Sequence, residues 1–198
     1  MPDFFSRPCE GAADLDIVTE FVRANLAARL PDPTYWHPGD IAWRLAAVER
    51  RALAANVRLW SDAAGVTGVA MFEPPLNVEF DIRDDIAAEG RLLDQILEWA
   101  EARRRKLLAR SRQDIPAAYS MLGESTLATT ALDSDQARIA ALTRRGYKRV
   151  ERHSMRYRRS LSMPIPEPKL PAGMRLRYVT DADLDERIDL HRDAWSVW

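Results

Sequence analysis

The chain has 198 residues, of which 46% are hydrophobic and 30% are charged, and its formal net charge is -1. This composition is typical of a folded domain and excludes a disordered or fibrous protein. The near-zero net charge excludes an overall field that would attract nucleic acid or anionic lipid.

The single cysteine, Cys9, cannot form an intramolecular disulfide, and no group of Cys and His residues has metal-ligand spacing. We therefore expect no metal site and a cytoplasmic location. The N-terminus lacks a basic start followed by an apolar run, and no segment approaches the roughly 18 apolar residues of a membrane span. We expect no membrane association, and the Arg-rich and Ala-rich composition indicates a bacterial source.

Two helices are predicted in the first 55 residues. Apolar residues recur at helical spacing behind the acidic cap Asp14 until Pro31 stops the helix. A second helix is predicted from Pro38, with Ile41, Leu45 and Val48 on one face.

The pattern then changes to three strands, "NVRLWSD", "VTGVAMFEPP" and "NVEFDIRDD". A turn at Gly65 joins the first two, and Pro74 with Pro75 separates the second from the third. The short connections predict an antiparallel meander. A long amphipathic helix is predicted after Gly90, in "RLLDQILEWAEARRRKLLAR".

A buried strand, a helix and two further strands are predicted after this helix. The strand is "IPAAYSML", and the helix opens at a capping box of Asp133 and Gln136 and ends at Gly146. The last two strands are predicted at Tyr147 to Arg152 and Met155 to Leu161.

A domain boundary is predicted at residues 162–173, where four prolines indicate a semi-rigid linker. Beyond it "MRLRYV" alternates as a strand, and the next helix opens on "ADLD" at Ala182, a tetrapeptide that also begins at Ala13. We predict one domain at residues 1–161, the linker, and at residues 174–198 the first strand and helix of a second, truncated copy.

This order of elements resembles the GCN5-related N-acetyltransferase (GNAT) family, from about Phe4 to Leu161. The segment "DSDQARIAALTRRGYKRVERHSMRYRRSL" is similar to the family's Leu-Tyr-x-x-x-Gly-Phe region, with Gly146 and Tyr147 at the Gly-Phe position. The resemblance implies an α/β fold with a mixed, mostly antiparallel central sheet flanked by helices. It extends to the tandem arrangement of mycothiol synthase-like acetyltransferases.

The resemblance also implies acetyl-CoA as cofactor, with a strand that pairs with the pantetheine arm and a Gly-rich turn that holds the pyrophosphate. The turn's usual signature is Arg/Gln-x-x-Gly-x-Gly/Ala, and here it has the single glycine Gly90 beside the acidic residues Asp84, Asp85 and Glu89. The implied cofactor-binding residues are Ile82 and Arg83 on the strand and Ala88, Glu89, Gly90 and Arg91 in the turn.

The family's proton-donating tyrosine is replaced, because Leu142 stands at its position. Two interpretations stay open. In the first, the parent reaction transfers acetyl from acetyl-CoA to a small-molecule amine and this N-terminal domain is degenerate. In the second, the domain is a non-catalytic scaffold or dimerisation module that contacts a second GNAT domain or another copy of itself. The sequence leaves open whether the chain is an enzyme.

Three residues are candidates for a base that accepts a proton from the amine. Glu73 and Glu79 lie on or beside the predicted central strands, and His37 lies on a loop. Carboxylates at strand edges are more often solvated, and a loop histidine between aromatic residues is more often a packing residue.

Nucleic-acid binding would use the basic residues Arg144, Arg145, Lys148, Arg149 and Arg152 together with the run Arg103 to Lys106. Helical and strand periodicity places these charges on solvated faces. No aromatic residues are interleaved with them as a single-strand platform needs. We therefore expect no nucleic-acid partner.

Overall fold

The computed structural model describes residues 4–30, 32, 34–46, 50–74, 76–110, 126–151, 159–160 and 162–195. The chain divides into two compact units, Met1–Arg149 and Val150–Trp198. The predicted strand "IPAAYSML" and most of the predicted strand Met155 to Leu161 lie outside the described residues.

The first unit contains a sheet and five α-helices within the described residues. In chain order its elements are β1 (Phe5–Pro8), α1 (Ala12–Arg29), α2 (Pro38–Ala46), α3 (Arg50–Asn56), β2 (Val57–Asp62), β3 (Gly65–Glu73), β4 (Asn77–Ile82), a 3-10 helix (Asp84–Glu89), α4 (Arg91–Arg110) and α5 (Gln136–Arg144). In the second unit a 3-10 turn (Asp181–Asp183) leads into α6 (Leu184–Trp195).

The sheet has the order β1-β2-β3-β4, and each neighbouring pair is antiparallel. This confirms the predicted meander of β2, β3 and β4. One further bridge joins Asn77 to Ala128 in parallel orientation. The sheet is therefore mixed and mostly antiparallel, as predicted.

Two hydrophobic cores lie on opposite faces of the sheet, because alternate side chains of a strand point to opposite faces. Val69 and Met71 of β3 pack with Val18, Val22 and other residues of the core around α1. Ala70 and Phe72 of β3 pack with α4 in the other core. The members of this core from α4 are Leu92, Leu93, Ile96, Leu97 and Ala100. Helices thus flank the sheet on both faces.

The predicted helices differ in detail from the observed ones. α1 begins at Ala12, ahead of the predicted cap Asp14, which lies in the first helical turn and accepts a hydrogen bond from the backbone N–H of Glu10 at 2.8 Å. The predicted second helix corresponds to α2 and α3, and Val48 of its predicted face lies outside the described residues. The long helix α4 begins at Arg91 as predicted.

Helix α5 ends as predicted and begins differently. Gly146 has a φ of +86°, and the backbone N–H of Tyr147 donates to the Leu142 carbonyl at 3.0 Å, which confirms the glycine stop. The cap is Asp135 rather than the predicted Asp133, because the Asp135 carboxylate accepts the backbone N–H of Arg138 at 3.0 Å.

Two predicted strands are irregular in their described parts. Residues 147–151 and residues 174–179 have no strand pairing among the described residues. A strand is stable only when a neighbour satisfies its backbone groups, and periodicity in one segment does not supply that neighbour. The helices of the described residues are too short or too polar to cross a membrane.

Candidate functional site

β4 is one of the two edge strands of the described sheet, so a ligand could meet free backbone groups at its outer edge. The backbone N–H of Val78 donates to the Ala128 carbonyl at 2.9 Å, and that of Ala128 donates to the Leu76 carbonyl at 2.7 Å. Strand periodicity places the backbone groups of Phe80 and Ile82 on the same edge. The segment around Ala128 therefore covers the first half of β4 and leaves the second half to other partners.

Arg138 of α5 occupies this second half. Its Nη2 donates to the Phe80 carbonyl and its Nη1 donates to the Thr130 carbonyl, both at 3.3 Å. The side chain thus bridges β4 and the segment after Ala128. Only 4% of the Arg138 surface is exposed.

Two aromatic rings enclose the Arg138 guanidinium. Its Cζ lies 3.4 Å from the ring centroid of Tyr35 and 3.9 Å from that of Phe80. Burial lowers the pKa of Arg138, while Tyr35 and Asp135 oppose that effect. Because a guanidinium stays protonated in proteins, the group is a buried cation stabilised by π-faces and carbonyls.

Tyr35 is fixed against the same cation through Asp135. Its hydroxyl donates to Asp135 Oδ2 at 2.7 Å and accepts the backbone N–H of Leu132 at 3.1 Å. Asp135 Oδ2 also lies 3.5 Å from Arg138 Nε. Burial raises the pKa of the Tyr35 hydroxyl, so this phenol stays protonated and is already used as a hydrogen-bond donor.

Side chains of α1 occupy the end of β4. The Ile82 carbonyl accepts hydrogen bonds from Asn25 Nδ2 at 3.0 Å and from Arg29 Nη2 at 2.8 Å. The backbone N–H of Ile82 donates to Asp81 Oδ1 at 3.0 Å, and Arg29 Nη1 lies 2.9 Å from the same oxygen. Asp81 is fully buried, and Arg29 is the cation that compensates its charge.

The two glutamates predicted as base candidates are brought together by Asn77. Its Nδ2 lies 2.9 Å from Glu73 Oε2 and 3.2 Å from Glu79 Oε1. Arg44 forms an ion pair with Glu73, and the Thr130 hydroxyl donates to Glu79 at 2.9 Å. Glu79 is 8% exposed, so it is a buried and hydrogen-bonded carboxylate rather than a solvated one.

His37, the third base candidate, lies at the start of α2. Its backbone N–H donates to Asp40 at 2.8 Å, and its Nδ1 accepts the backbone N–H of Gly39 at 3.1 Å. These bonds satisfy backbone groups at the first turn of the helix. They give His37 a capping role, and its part in catalysis stays a prediction.

Several arginines of the basic stretch form ion pairs. Arg144 lies 3.2 Å from Asp94, and Arg145 lies 2.9 Å from Glu101. Arg149 lies 3.2 Å from Asp133. Each of these charges therefore has an acidic neighbour within the first unit.

The structure resembles those of known proteins. It is similar to that of a GCN5-related N-acetyltransferase from Sphaerobacter thermophilus, with a TM-score of 0.57 and 14% sequence identity over 97% of this chain and 58% of that chain. This chain has the GNAT fold. It spans less than two thirds of the length of the Sphaerobacter thermophilus protein. No family model and no curated protein matches the sequence.

Two further structures are similar to a lower degree. One is that of yncA from Salmonella typhimurium with its cofactor acetyl-CoA, with a TM-score of 0.45 and 18% identity over 73% of this chain and 79% of that one. The other is the integron cassette protein VCH_CASS6 of V. cholerae, with a TM-score of 0.39 and 14% identity over 78% of this chain and 92% of that one.

The resemblance to the GNAT family implies that the pantetheine arm of acetyl-CoA would pair with β4, whose outer edge is partly occupied by side chains. An arm that pairs with a strand needs free backbone groups, whereas the carbonyls of Phe80 and Ile82 already accept side-chain hydrogen bonds. Arg83 is also engaged, because its guanidinium pairs with Asp85 at 2.7 Å and with Asp62 at 2.8 Å. These two hydrogen bonds raise the pKa of Arg83.

The turn that would hold the pyrophosphate has one suitable feature and one unsuitable feature. Arg91 Nη1 is buried and has no hydrogen-bond partner among the described residues. Asp84 and Asp85, in contrast, place two exposed carboxylates in the same turn. Ala88 and Glu89 end the 3-10 helix, and Gly90 follows it with a φ of +74°. Asp84 pairs with Arg29 and Asp85 pairs with Arg83, so the two carboxylates oppose a pyrophosphate less strongly than unpaired carboxylates would.

Leu142, at the position of the GNAT tyrosine, is 8% exposed and packs in the core on the α4 face. Its side chain therefore contributes packing and no proton. The nearest tyrosine in sequence is Tyr147, whose hydroxyl lies 3.4 Å from Glu101. Burial raises the pKa of Tyr147.

Sequence reasoning missed Arg138, Asn25 and Arg29, which together occupy the β4 edge. One signal was available for Arg138, because it lies four residues before Leu142 and therefore shares the buried face of α5. The hydrogen bonds of Asn25 and Arg29 join residues more than fifty positions apart. The local sequence around Asn25 or Arg29 therefore does not predict these hydrogen bonds.

Proposed function

We propose that this chain comes from an acetyltransferase of the GNAT type, which transfers acetyl from acetyl-CoA to a small-molecule amine, and that residues 4–149 form a degenerate, non-catalytic domain of it. The fold supports the kind of reaction. The burial of Arg138 at the β4 edge is the observation that supports the loss of catalysis. A cytoplasmic, bacterial protein fits the same proposal.

The argument from Arg138 is energetic. A pantetheine arm would have to displace a cation that lies between the rings of Tyr35 and Phe80 and donates to two carbonyls. Removing one partner from such a buried network costs about 3–5 kcal/mol, because the remaining polar groups lose their hydrogen bonds. The free energy of cofactor binding would be reduced by the cost of displacing Arg138.

The chemistry of the site supports the same proposal. Leu142 cannot protonate a leaving thiolate, and the hydroxyl of Tyr35 already donates to Asp135. Glu73 and Glu79 could accept a proton from an amine, but their oxygens are held by Arg44, Asn77 and Thr130. Among the described residues, neither Leu142 nor Tyr35 is thus available to protonate the thiolate that leaves a bound thioester.

A scaffold or dimerisation module is the second candidate function, and Trp43 favours it. This large apolar side chain on α2 is 73% exposed, and exposed aromatic residues are enriched in protein interfaces. A Trp43→Ala variant would reduce self-association in sedimentation velocity if this surface is a dimer contact. Trp60, which is buried against Trp99, is unsuitable as a control because its loss would damage the core.

An acetyl-transfer assay tests the proposal on this chain. We expect no release of free CoA thiol above the protein-free rate with acetyl-CoA and a panel of primary amines. Turnover that disappears in a Glu79→Gln variant would contradict the degenerate-domain proposal, because it would show a working base at this edge. Turnover that survives that variant and the matched Glu73→Gln variant would also contradict it and would place the base elsewhere.

A further inference from the structure

The outer edge of β4 contains a slot between two aromatic rings and two carbonyl groups. The guanidinium of Arg138 lies in it, with Cζ 3.4 Å from the ring centroid of Tyr35 and 3.9 Å from that of Phe80. Its Nη2 donates to the Phe80 carbonyl and its Nη1 donates to the Thr130 carbonyl, both at 3.3 Å. We call this arrangement the guanidinium slot.

The walls of the slot are held by contacts other than those of the guanidinium. Phe80 is a fully buried residue of β4 in the core on the α4 face. The Tyr35 hydroxyl donates to Asp135 at 2.7 Å, and the Thr130 hydroxyl donates to Glu79 at 2.9 Å. We therefore expect the slot to keep its shape when the guanidinium is removed.

The lining of the slot selects a planar cation. The faces of aromatic rings attract positive charge, and carbonyl groups only accept hydrogen bonds. The carboxylate of Asp135 adds a negative charge, with Oδ2 at 3.5 Å from Arg138 Nε. An ammonium group has the same charge, but it is compact and strongly hydrated and lacks the planar fork that reaches both carbonyls. The slot thus favours an alkylguanidinium over an alkylammonium.

One side of the slot lies close to solvent. Thr130 is exposed, although its carbonyl accepts from the buried guanidinium. The side chain of Asp135 is 28% exposed. These two residues mark the side by which a small cation can enter the slot.

We propose that the guanidinium slot is a binding site for alkylguanidinium cations that the chain fills with its own Arg138. The contact is autoinhibitory, because a tethered side chain competes with a free ligand at a high effective concentration. This inference rests on the geometry of the slot. It does not depend on acetyl transfer or on the binding of acetyl-CoA, and either could fail without affecting it.

Urea unfolding of the Arg138→Ala variant in ethylguanidinium chloride tests the proposal, because this cation supplies the atoms that the substitution removes. We expect a Kd of about 2 mM, so that about 20 mM ligand raises the ratio of folded to unfolded protein about 10-fold. Ethylammonium chloride at the same concentration should change the ratio less than about 2-fold. Equal responses to the two salts would overturn the proposal, since the slot would then not recognise a planar group.

Arg138→Met is the matched control, because its long apolar side chain still fills the slot. This variant and the wild type should each respond to ethylguanidinium less than about 2-fold. A response of Arg138→Met equal to that of Arg138→Ala would overturn the proposal by placing the ligand elsewhere. If Arg138→Ala is unfolded alone, its refolding in ethylguanidinium chloride, measured by circular dichroism, supports the proposal, and failure to refold overturns it.

Discussion

The guanidinium carbon of Arg138 lies 3.4 Å from the ring centroid of Tyr35, and both residues are held by Asp135. Asp135 also caps α5, so one carboxylate joins the start of this helix to the loop before α2. The pair occupies the part of the β4 edge that the resemblance to the GNAT family implies for the cofactor arm.

Replacing Arg138 with alanine should lower the free energy of unfolding by about 3 kcal/mol. The carbonyls of Phe80 and Thr130 would lose their donors, and two aromatic rings would lose the group between them. Urea unfolding measures the change. Arg138→Lys should lower the free energy of unfolding by most of the same amount, because an ammonium group lacks the planar fork that reaches both carbonyls.

Arg144→Ala is the matched control for this prediction. Arg144 lies on the same helix, but its side chain is 60% exposed and it pairs with Asp94 at the surface. Its removal should change the free energy of unfolding by less than about 0.5 kcal/mol. Equal effects of the two variants would show that Arg138 is not the buried anchor of the edge.

The ion pair between Arg7 and Asp14 predicts that the folded state loses stability in acid. Hydrogen bonding from Arg7 lowers the pKa of Asp14 below its ordinary value of 3.8. The resulting stabilisation is fully present above pH 3.8 and is lost as the pH falls through the lowered pKa of the folded state. An Asp14→Asn variant should be about 1 kcal/mol less stable at pH 7, with the difference shrinking toward pH 2.

Asp16→Asn serves as control, because Asp16 is exposed in the same "ADLD" tetrapeptide. Denaturant unfolding of the three proteins between pH 2 and pH 7 gives the comparison. A constant difference between wild type and Asp14→Asn across this range would mean that the charge of Asp14 contributes nothing.

The two half-buried tyrosines Tyr35 and Tyr147 predict a loss of stability in alkaline solution. Burial raises the pKa values of Tyr35 and Tyr147 above the ordinary value of about 10. The stabilisation is therefore full below pH 10 and is lost as the pH rises beyond it, because the unfolded state releases its phenolic protons first. Unfolding free energies between pH 8 and pH 11 should fall less steeply in Tyr35→Phe.

Tyr178→Phe is the corresponding control, since this side chain is 95% exposed. Its profile should run parallel to that of the wild type. If Tyr35→Phe also runs parallel, the phenol of Tyr35 ionises equally well in the folded state, and its assignment as a buried donor to Asp135 is wrong.

Gly146 ends α5 with a φ of +86° and no atom within 4 Å of the position of an added Cβ. The cost of Gly146→Ala is therefore conformational alone, and we expect a loss of about 1 kcal/mol in the free energy of unfolding. Gly146→Asn should cost less, because asparagine adopts the left-handed region more readily. Equal losses of stability for Gly146→Ala and Gly146→Asn in thermal unfolding would contradict the prediction, because they would show that the left-handed backbone conformation is not the cause.

The sequence predicted those elements whose causes are local. The spacing of Leu92, Ile96 and Ala100 is sufficient for α4, and a Gly65 turn between alternating segments is sufficient for the meander. Gly146 likewise marked the end of α5, because only a positive φ fits there. Short-range sterics and periodicity decide each of these features.

The β4 edge could not be predicted in the same way, because its partners are distant in sequence. Arg138 meets Tyr35 and Phe80 only after α5, the loop before α2 and the sheet have come together. An arginine is usually expected at the surface, and its burial is decided by the aromatic rings that happen to enclose it. The resemblance to the GNAT family correctly indicated the fold, while the closure of the edge came from the structure.

Calorimetric titration of the folded chain with acetyl-CoA tests the closed edge most directly. We predict no saturable heat up to about 1 mM cofactor, because Arg138, Asn25 and Arg29 already bind the backbone groups that a pantetheine arm would use. An acetyl-CoA-binding protein titrated in the same buffer is the positive control. Saturable binding with a Kd near 10 µM would contradict the account, since it would show that the edge opens at little cost.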